Sequence, residues 1–211
     1  MSPKDEESPA DYNYGGYLQV KVSDSFKDAR YFIVRKLGYV LFPFQPVGPR
    51  QFASDGVTFP PYGSSRTLRT SFLSYSHNTP QLSRREKRHS ALKIVKSAGR
   101  YAETARDEIK LLRQITNASP SHPGRAHVVS FLDSFTHTIS STAHICIIFE
   151  PLGANLLSLI EKNRRKGIPP CVVKSITKQV LLGLQYLHDE CDLVHTDIKP
   201  ENISQLTRCS L

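Results

Sequence analysis

The run Ile145-Cys146-Ile147-Ile148-Phe149 is continuously apolar and stands between His144 and Glu150. Side chains of a strand alternate between its two faces, so an unbroken apolar run marks a central strand buried on both. Val128 to Phe135 forms a second strand ahead of it, with Thr136 to Thr142 as the link. Upstream, Tyr31-Phe32-Ile33-Val34-Arg35-Lys36-Leu37 is β-branched and aromatic and stops at Gly38, as a strand entering a turn does. Ser90 to Lys96 alternates with period two, which sets Ala91, Lys93 and Val95 on one face. Between these strands Tyr101 to Ile115 reads as a helix, because Ala102, Ala105, Ile109 and Leu112 recur at helical spacing. The expectation is an α+β chain.

A lysine between apolar neighbours on a buried face needs a partner. Glu108 is placed to supply one, since it lies beside the apolar stripe of the helix, one turn from Ala105 and Leu112. Glu103 and Asp107 fall on the solvated side. After the central strand, Leu156, Leu157, Leu159 and Ile160 begin a short helix. Pro169-Pro170 then open a longer one, a position where proline is tolerated, and Val173, Ile176, Val180, Leu184 and Leu187 form its apolar stripe.

That helix leads to Val194-His195-Thr196-Asp197-Ile198-Lys199-Pro200-Glu201-Asn202-Ile203. Asp197 can accept the proton of an attacking hydroxyl, Lys199 can neutralise a moving phosphoryl group, and Asn202 can ligate magnesium. Pro200 fixes its own φ and biases Lys199 toward an extended backbone, so the loop reads as rigid. An Asp-x-Lys alone would read as a solvated loop. The whole run His-x-Asp-x-Lys-Pro-Glu-Asn resembles the catalytic loop of the eukaryotic protein kinases.

Other segments narrow the resemblance to the SR-protein kinases. They are Gly15-Gly16-Tyr17 with Val20-Lys21-Val22, Arg35-Lys36-Leu37-Gly38, Ala91-Leu92-Lys93-Ile94-Val95-Lys96-Ser97-Ala98, and Asp107-Glu108-Ile109-Lys110-Leu111-Leu112. The resemblance covers residues 15–38 and about 86–203. It implies a protein-kinase-like α+β fold, with a five-stranded antiparallel small lobe, a helix carrying Glu108, and an incomplete helical large lobe. It implies ATP and Mg2+, with Lys93 gripping the α/β-phosphates, Glu108 positioning Lys93, and Gly38 and Ala91 beside the nucleotide. Phe149 would be the gatekeeper, and the Glu150 carbonyl and Leu152 amide would meet adenine. Asp197 would be the base, Lys199 the phosphoryl support and Asn202 the metal ligand. Thr196 stands where most kinases carry an arginine that reads a phosphorylated activation loop, so activity would not wait for that phosphorylation. Arg/Ser-rich splicing proteins are the implied substrates.

The departures from the family pattern are equally specific. Gly38 is followed by Tyr39-Val40-Leu41-Phe42-Pro43-Phe44-Gln45-Pro46, without the further glycines that let a backbone approach phosphates. Residues 39–85 hold six of the 14 prolines and one acidic residue, Asp55, and read as an irregular insertion. Residues 39–90 carry seven basic side chains against two acidic ones, which is more than half of the formal charge of +9. An interaction arm centred on Arg84-Arg85-Glu86-Lys87-Arg88 is the lesser reading of that surplus. Nucleic-acid binding ranks last, because no regular pattern of stacking aromatics accompanies the charge. No Asp-Phe-Gly follows Ile203, so little or no kinase activity is expected of these 211 residues, with a non-catalytic binding fragment as the alternative.

The domain organisation expected is an acidic disordered tail at 1–14, a small lobe at 15–150 carrying the insertion, and a truncated large lobe at 151–211. Cys146, Cys171, Cys191 and Cys209 form no metal-ligand spacing and read as reduced thiols. With no long apolar run and a polar N-terminus, no membrane partner is expected, and the chain reads as a cytoplasmic and nuclear monomer.

Overall fold

The structure is a computed structural model, and it describes Tyr12 and residues 14–39, 45–46, 71–77 and 89–206. Most of the acidic tail, the basic arm at 84–88 and the last five residues lie outside the described part.

The strands of the larger sheet are β1 (Ser25–Phe26), β2 (Tyr31–Tyr39), β4 (Ser71–His77), β5 (His89–Ile94), β6 (Phe131–Ile139) and β7 (Thr142–Phe149). They pair antiparallel in the order β1-β2-β4-β5-β7-β6. Five strands were expected; the sixth is the two-residue β1 at the edge. A larger difference is β4, which falls inside the span that reads as irregular. Gly38 pairs with Phe72 and Lys93 pairs with Phe72 from the other side, so β4 bridges β2 and β5 despite the prolines before it. Prolines exclude a ladder only where they stand, and Ser71–His77 contains none. The β6–β7 hairpin is also tighter than expected. Thr136 to Ile139 continue the strand, and Ser140 turns it with a φ of 53°.

The central strand is buried on both faces. Cys146 and Ile148 of β7 join Leu92 and Ile94 of β5 in one core with Phe26, Tyr31 and Ile33. Ile145, Ile147 and Phe149 turn the other way, with Ala91 and Val95, onto Ala105, Ile109 and Leu112 of α1 (Gly99–Asn117). Both period-two readings are thereby realised, and so is the helical stripe. Each fully buried aliphatic side chain contributes about 1.5–3 kcal/mol.

Beyond β7 the chain forms β8 (Leu152–Asn155), α2 (Leu156–Lys162) and α3 (Pro170–Gln185), the last followed by one π-helical turn at Tyr186–Glu190. Asn155 caps α2, its side chain accepting from the Ser158 N–H at 2.9 Å. β9 (Leu193–Val194) pairs with β3 (Gln45–Pro46), and β10 (Ser204–Leu206) pairs with β8. A third core of Ile115, Tyr186, Leu187, Cys191 and Leu193 joins the end of α1 to the strand that enters the 195–203 loop. The stripe of α3 is less enclosed. Val173 is 46% exposed, and Ile176 and Val180 line an open cleft of about 590 Å3 with Leu156 and Ile160 of α2.

The 3-10 turn Pro123–His127 crosses α3 closely. A Cβ on Gly124 would lie 2.0 Å from the Leu182 carbonyl oxygen and 2.8 Å from Tyr186 Cβ, whereas one on Gly99 would meet nothing within 4 Å. Gly124→Ala is therefore expected to cost about 1–3 kcal/mol in chemical denaturation, the usual range for overpacking. Gly99→Ala should leave the midpoint unchanged or raise it; an equal loss in both would refute the close crossing.

Candidate active site

The alternation of β5 aims Lys93 at α1 between Ala91 and Val95, and the helix carries Glu108 to meet it. The Lys93 Nζ donates to both Glu108 oxygens, at 2.7 and 2.8 Å. The side chains are 1% and 9% exposed. An ammonium cannot stay charged in that position without a hydrogen-bonded counter-ion. Removing one member of such a pair leaves a buried charge uncompensated. Glu108→Ala should therefore destabilise the fold by about 3–5 kcal/mol. Exposed Glu103→Ala is the control, and an equally small effect for both would contradict the burial.

α1 is fastened to the second half of the chain at its C-terminal end. The Tyr186 hydroxyl donates to the Ile115 carbonyl, and the Gln114 side-chain amide donates to the Cys191 carbonyl at 2.6 Å. Neither contact is legible in the sequence, where Tyr186 and Gln114 look like ordinary helix residues. Cys191 and Leu193 then lead into the loop with both side chains buried.

Within the loop the backbone is tightly specified. Thr196 has a φ of 53°, an uncommon conformation for a β-branched residue and a local strain of about 1–3 kcal/mol. Lys199 is extended, at φ −155° and ψ 161°, as the following proline requires, and Pro200–Asn202 closes one 3-10 turn. The Leu156 N–H donates to the Ile203 carbonyl at 2.7 Å, tying the loop to the start of α2. These constraints bring the three expected residues together. Lys199 Nζ stands 2.7 Å from an Asp197 carboxylate oxygen. Asn202 Nδ2 donates to the Asp197 carbonyl at 2.9 Å and to its carboxylate at 3.0 Å.

The Lys199 hydrogen bond, with a smaller one from Asn202, holds the Asp197 carboxyl below its ordinary 3.8. A carboxylate that ionises this readily is a permanent acceptor at neutral pH. Burial lowers His195, which leaves its Nδ1 able to accept from the Asp197 N–H at 3.4 Å. Asn202 spends its NH2 on Asp197, so its amide oxygen is the atom available to a cation. An amide oxygen beside a carboxylate suits a hard ion such as magnesium, which completes its shell with phosphate oxygens and water. Among the described residues no group of three or more His, Cys, Asp or Glu side chains gathers to hold a metal by itself.

The remaining expected residues fall as follows. Gly38 lies near the end of β2, and Ala91 is buried opposite Phe149 across the β5–β7 ladder. Phe149 itself is 1% exposed in the core beneath α1. Glu150 is held by Ser130, whose N–H donates to the Glu150 carboxylate at 2.6 Å while its carbonyl accepts the Glu150 N–H at 3.0 Å. Leu152 begins β8, with Leu206 as its ladder partner.

A buried strand lysine paired with a helix glutamate, and an Asp-Lys-Asn cluster on a strained loop, match a family by sequence as well. Residues 75–206 match the protein kinase domain. The chain is 39% identical over 198 residues to the protein kinase dsk1 of Schizosaccharomyces pombe, covering 94% of this chain and 30% of that protein. It is 40% identical over 200 residues to the mouse SRSF protein kinase 3, covering 95% of this chain and 29% of that protein. A serine/threonine-protein kinase SRPK of Physarum polycephalum is 41% identical, with 94% and 38% covered. The chain belongs to the protein kinase family, in its SR-protein kinase branch. It spans about a third of the length of these relatives. A crystal structure of a kinase domain superposes with a TM-score of 0.63 at 25% identity, covering 90% of this chain and 43% of that one.

In this kinase chain the electrostatics of the loop can be tested directly. Lys199→Ala removes the largest stabiliser of the ionised Asp197, so the carboxyl titration followed by NMR should move up toward the ordinary value. Lys199→Arg should leave it low. An unmoved midpoint in Lys199→Ala would show that the ion pair does not tune the Asp197 carboxyl.

Proposed function

We propose that the chain carries the phosphate-gripping and proton-accepting parts of an ATP- and Mg2+-dependent serine/threonine kinase that acts on serines of Arg/Ser-rich proteins. The closed, buried Lys93–Glu108 pair carries this reading, because burying an ammonium and a carboxylate costs desolvation that an apolar pair of similar volume would not. Glu108 fixes the Lys93 Nζ where the α- and β-phosphates of ATP would lie against it. Asp197 takes the proton of the substrate hydroxyl as that oxygen bonds to the γ-phosphorus and the bond to the ADP oxygen breaks. Lys199, already beside Asp197, neutralises charge on the moving group. Asn202 would hold magnesium through its amide oxygen; the metal, when bound, supplies charge neutralisation at the phosphates. The names of the relatives motivate the substrate class, since one is an SRSF protein kinase and another an SRPK.

The 211 residues by themselves would turn over slowly or not at all. Among the described residues no group of three or more His, Cys, Asp or Glu side chains is placed to hold a metal, and the segment after Gly38 lacks closely spaced glycines. Incubation with labelled ATP and an Arg/Ser repeat peptide should give little label, and Asp197→Asn should remove what there is. Turnover comparable to that of a longer relative would contradict the slow-turnover reading. A fluorescent ATP analogue should bind and be weakened by Lys93→Met; equal binding to both proteins would contradict the phosphate grip.

A second reading, a non-catalytic fragment that competes for kinase partners, is favoured by the half-exposed apolar cleft between α2 and α3. It requires a stable fold, so a scan without a cooperative thermal transition would exclude it.

A further inference from the structure

The N-terminal start of α1 lacks every local device that usually defines one. The N-cap is Ala98, it makes no side-chain capping bond, and the first turn contains no acidic residue. Something other than the helix's own sequence must set where it begins. That matters because Glu108 sits on this helix, about two and a half turns further on, and a helix moves as a rigid rod over that length.

The segment Gly15-Gly16-Tyr17 lies against this start. The Ala98 N–H donates to the Gly15 carbonyl and the Ser97 N–H to the Gly16 carbonyl, each at 3.1 Å. Ala98 in turn accepts from Tyr101 and Ala102, at 2.8 and 3.3 Å, so the clamped residue is the one on which the helix is built. Gly15 adopts a φ of +81°, and a Cβ there would touch the Ala98 Cβ at 3.4 Å. The turn thus needs glycine for its backbone. Tyr17 is 5% exposed, and the Lys96 Nζ stands 4.4 Å over its ring centroid. A cation over a ring face is attracted by the ring's quadrupole, which fixes the two residues ahead of the helix. Leu18 and Val20 follow and pack on the sheet core, so the strap is anchored on its far side.

We propose that Tyr17, together with the Gly15 and Gly16 carbonyls, is a positioning element for the Lys93–Glu108 pair. It holds the uncapped end of α1 against the sheet, while Tyr186 and Gln114 hold the other end. With both ends tied, Glu108 stays on Lys93 in the free chain. The proposal rests on the reading of Lys93 as the grip on nucleotide phosphates.

The test compares the 211-residue chain with Tyr17→Ala, Tyr17→Phe and Gly15→Ala by amide hydrogen exchange and by affinity for a fluorescent ATP analogue with magnesium. Tyr17→Ala should raise exchange at residues 99–108 by about tenfold, with β6 and β7 unchanged. It should weaken nucleotide binding by about three- to tenfold. Tyr17→Phe keeps the ring under Lys96 and should restore both. Gly15→Ala leaves Tyr17 in place, strains the turn and should reproduce the local loosening even if Tyr17→Ala does not fold. Exchange that rises equally over the whole sheet, or a Gly15→Ala protein with unchanged exchange at 99–108, would overturn the proposal. If the unaltered chain binds no nucleotide, the phosphate-grip reading fails by itself, and the local exchange pattern alone decides for or against the clamp.

Discussion

The arrangement depends on one buried ion pair. Lys93 is fully buried and Glu108 is 9% exposed, and removing either would leave the other's buried charge without its hydrogen-bonded counter-ion. The pair costs desolvation that a leucine would not. In exchange it sets an ammonium at a defined depth beneath the sheet and couples β5 to α1 by geometry that packing alone does not specify. Much of the six-stranded sheet and of α1 keeps these two residues in reach. The register of β5 between β4 and β7 aims Lys93, and the helical stripe of Ala105, Ile109 and Leu112 presses α1 onto the same sheet face.

The same helix reaches the loop. Its C-terminal end is bonded through Tyr186 and Gln114 to the segment at Cys191, and Leu193 shares the core that contains Ile115. The distance from Glu108 to the loop is thus spanned by a rigid rod and a packed core, with no disordered step among the described residues. In the loop the strained Thr196, the extended Lys199 and the turn at Pro200–Asn202 gather Asp197, Lys199 and Asn202 within hydrogen-bonding distance. Position is supplied at one end by burial and at the other by backbone constraint.

Much of this was legible in the sequence because it rests on short-range periodicity. Ala91, Lys93 and Val95 share a face because strands alternate. Glu108 turns inward because it borders a helical stripe, and Lys199 is extended because proline follows it. What was not legible depends on long-range pairing. β4 lies in a proline-rich span, and its strand character follows from ladders with β2 and β5 rather than from local pattern. The backbone pairing of Gln45–Pro46 with Leu193–Val194 joins residues almost 150 positions apart, beyond any periodicity. Tyr186 and the Gly15–Gly16 carbonyls belong to the same class: their partners lie on other elements, so their roles appear only once those elements are packed.

The Lys93–Glu108 pair is already closed and buried in the free chain. Reductive methylation followed site by site by mass spectrometry reads this most directly, since a buried, ion-paired ammonium is shielded from the reagent. Lys93 should react far more slowly than Lys110, whose side chain is 75% exposed, and Glu108→Gln should accelerate it selectively. A Lys93 that is labelled as fast as Lys110 in the folded, unaltered chain would contradict the closed, buried pair.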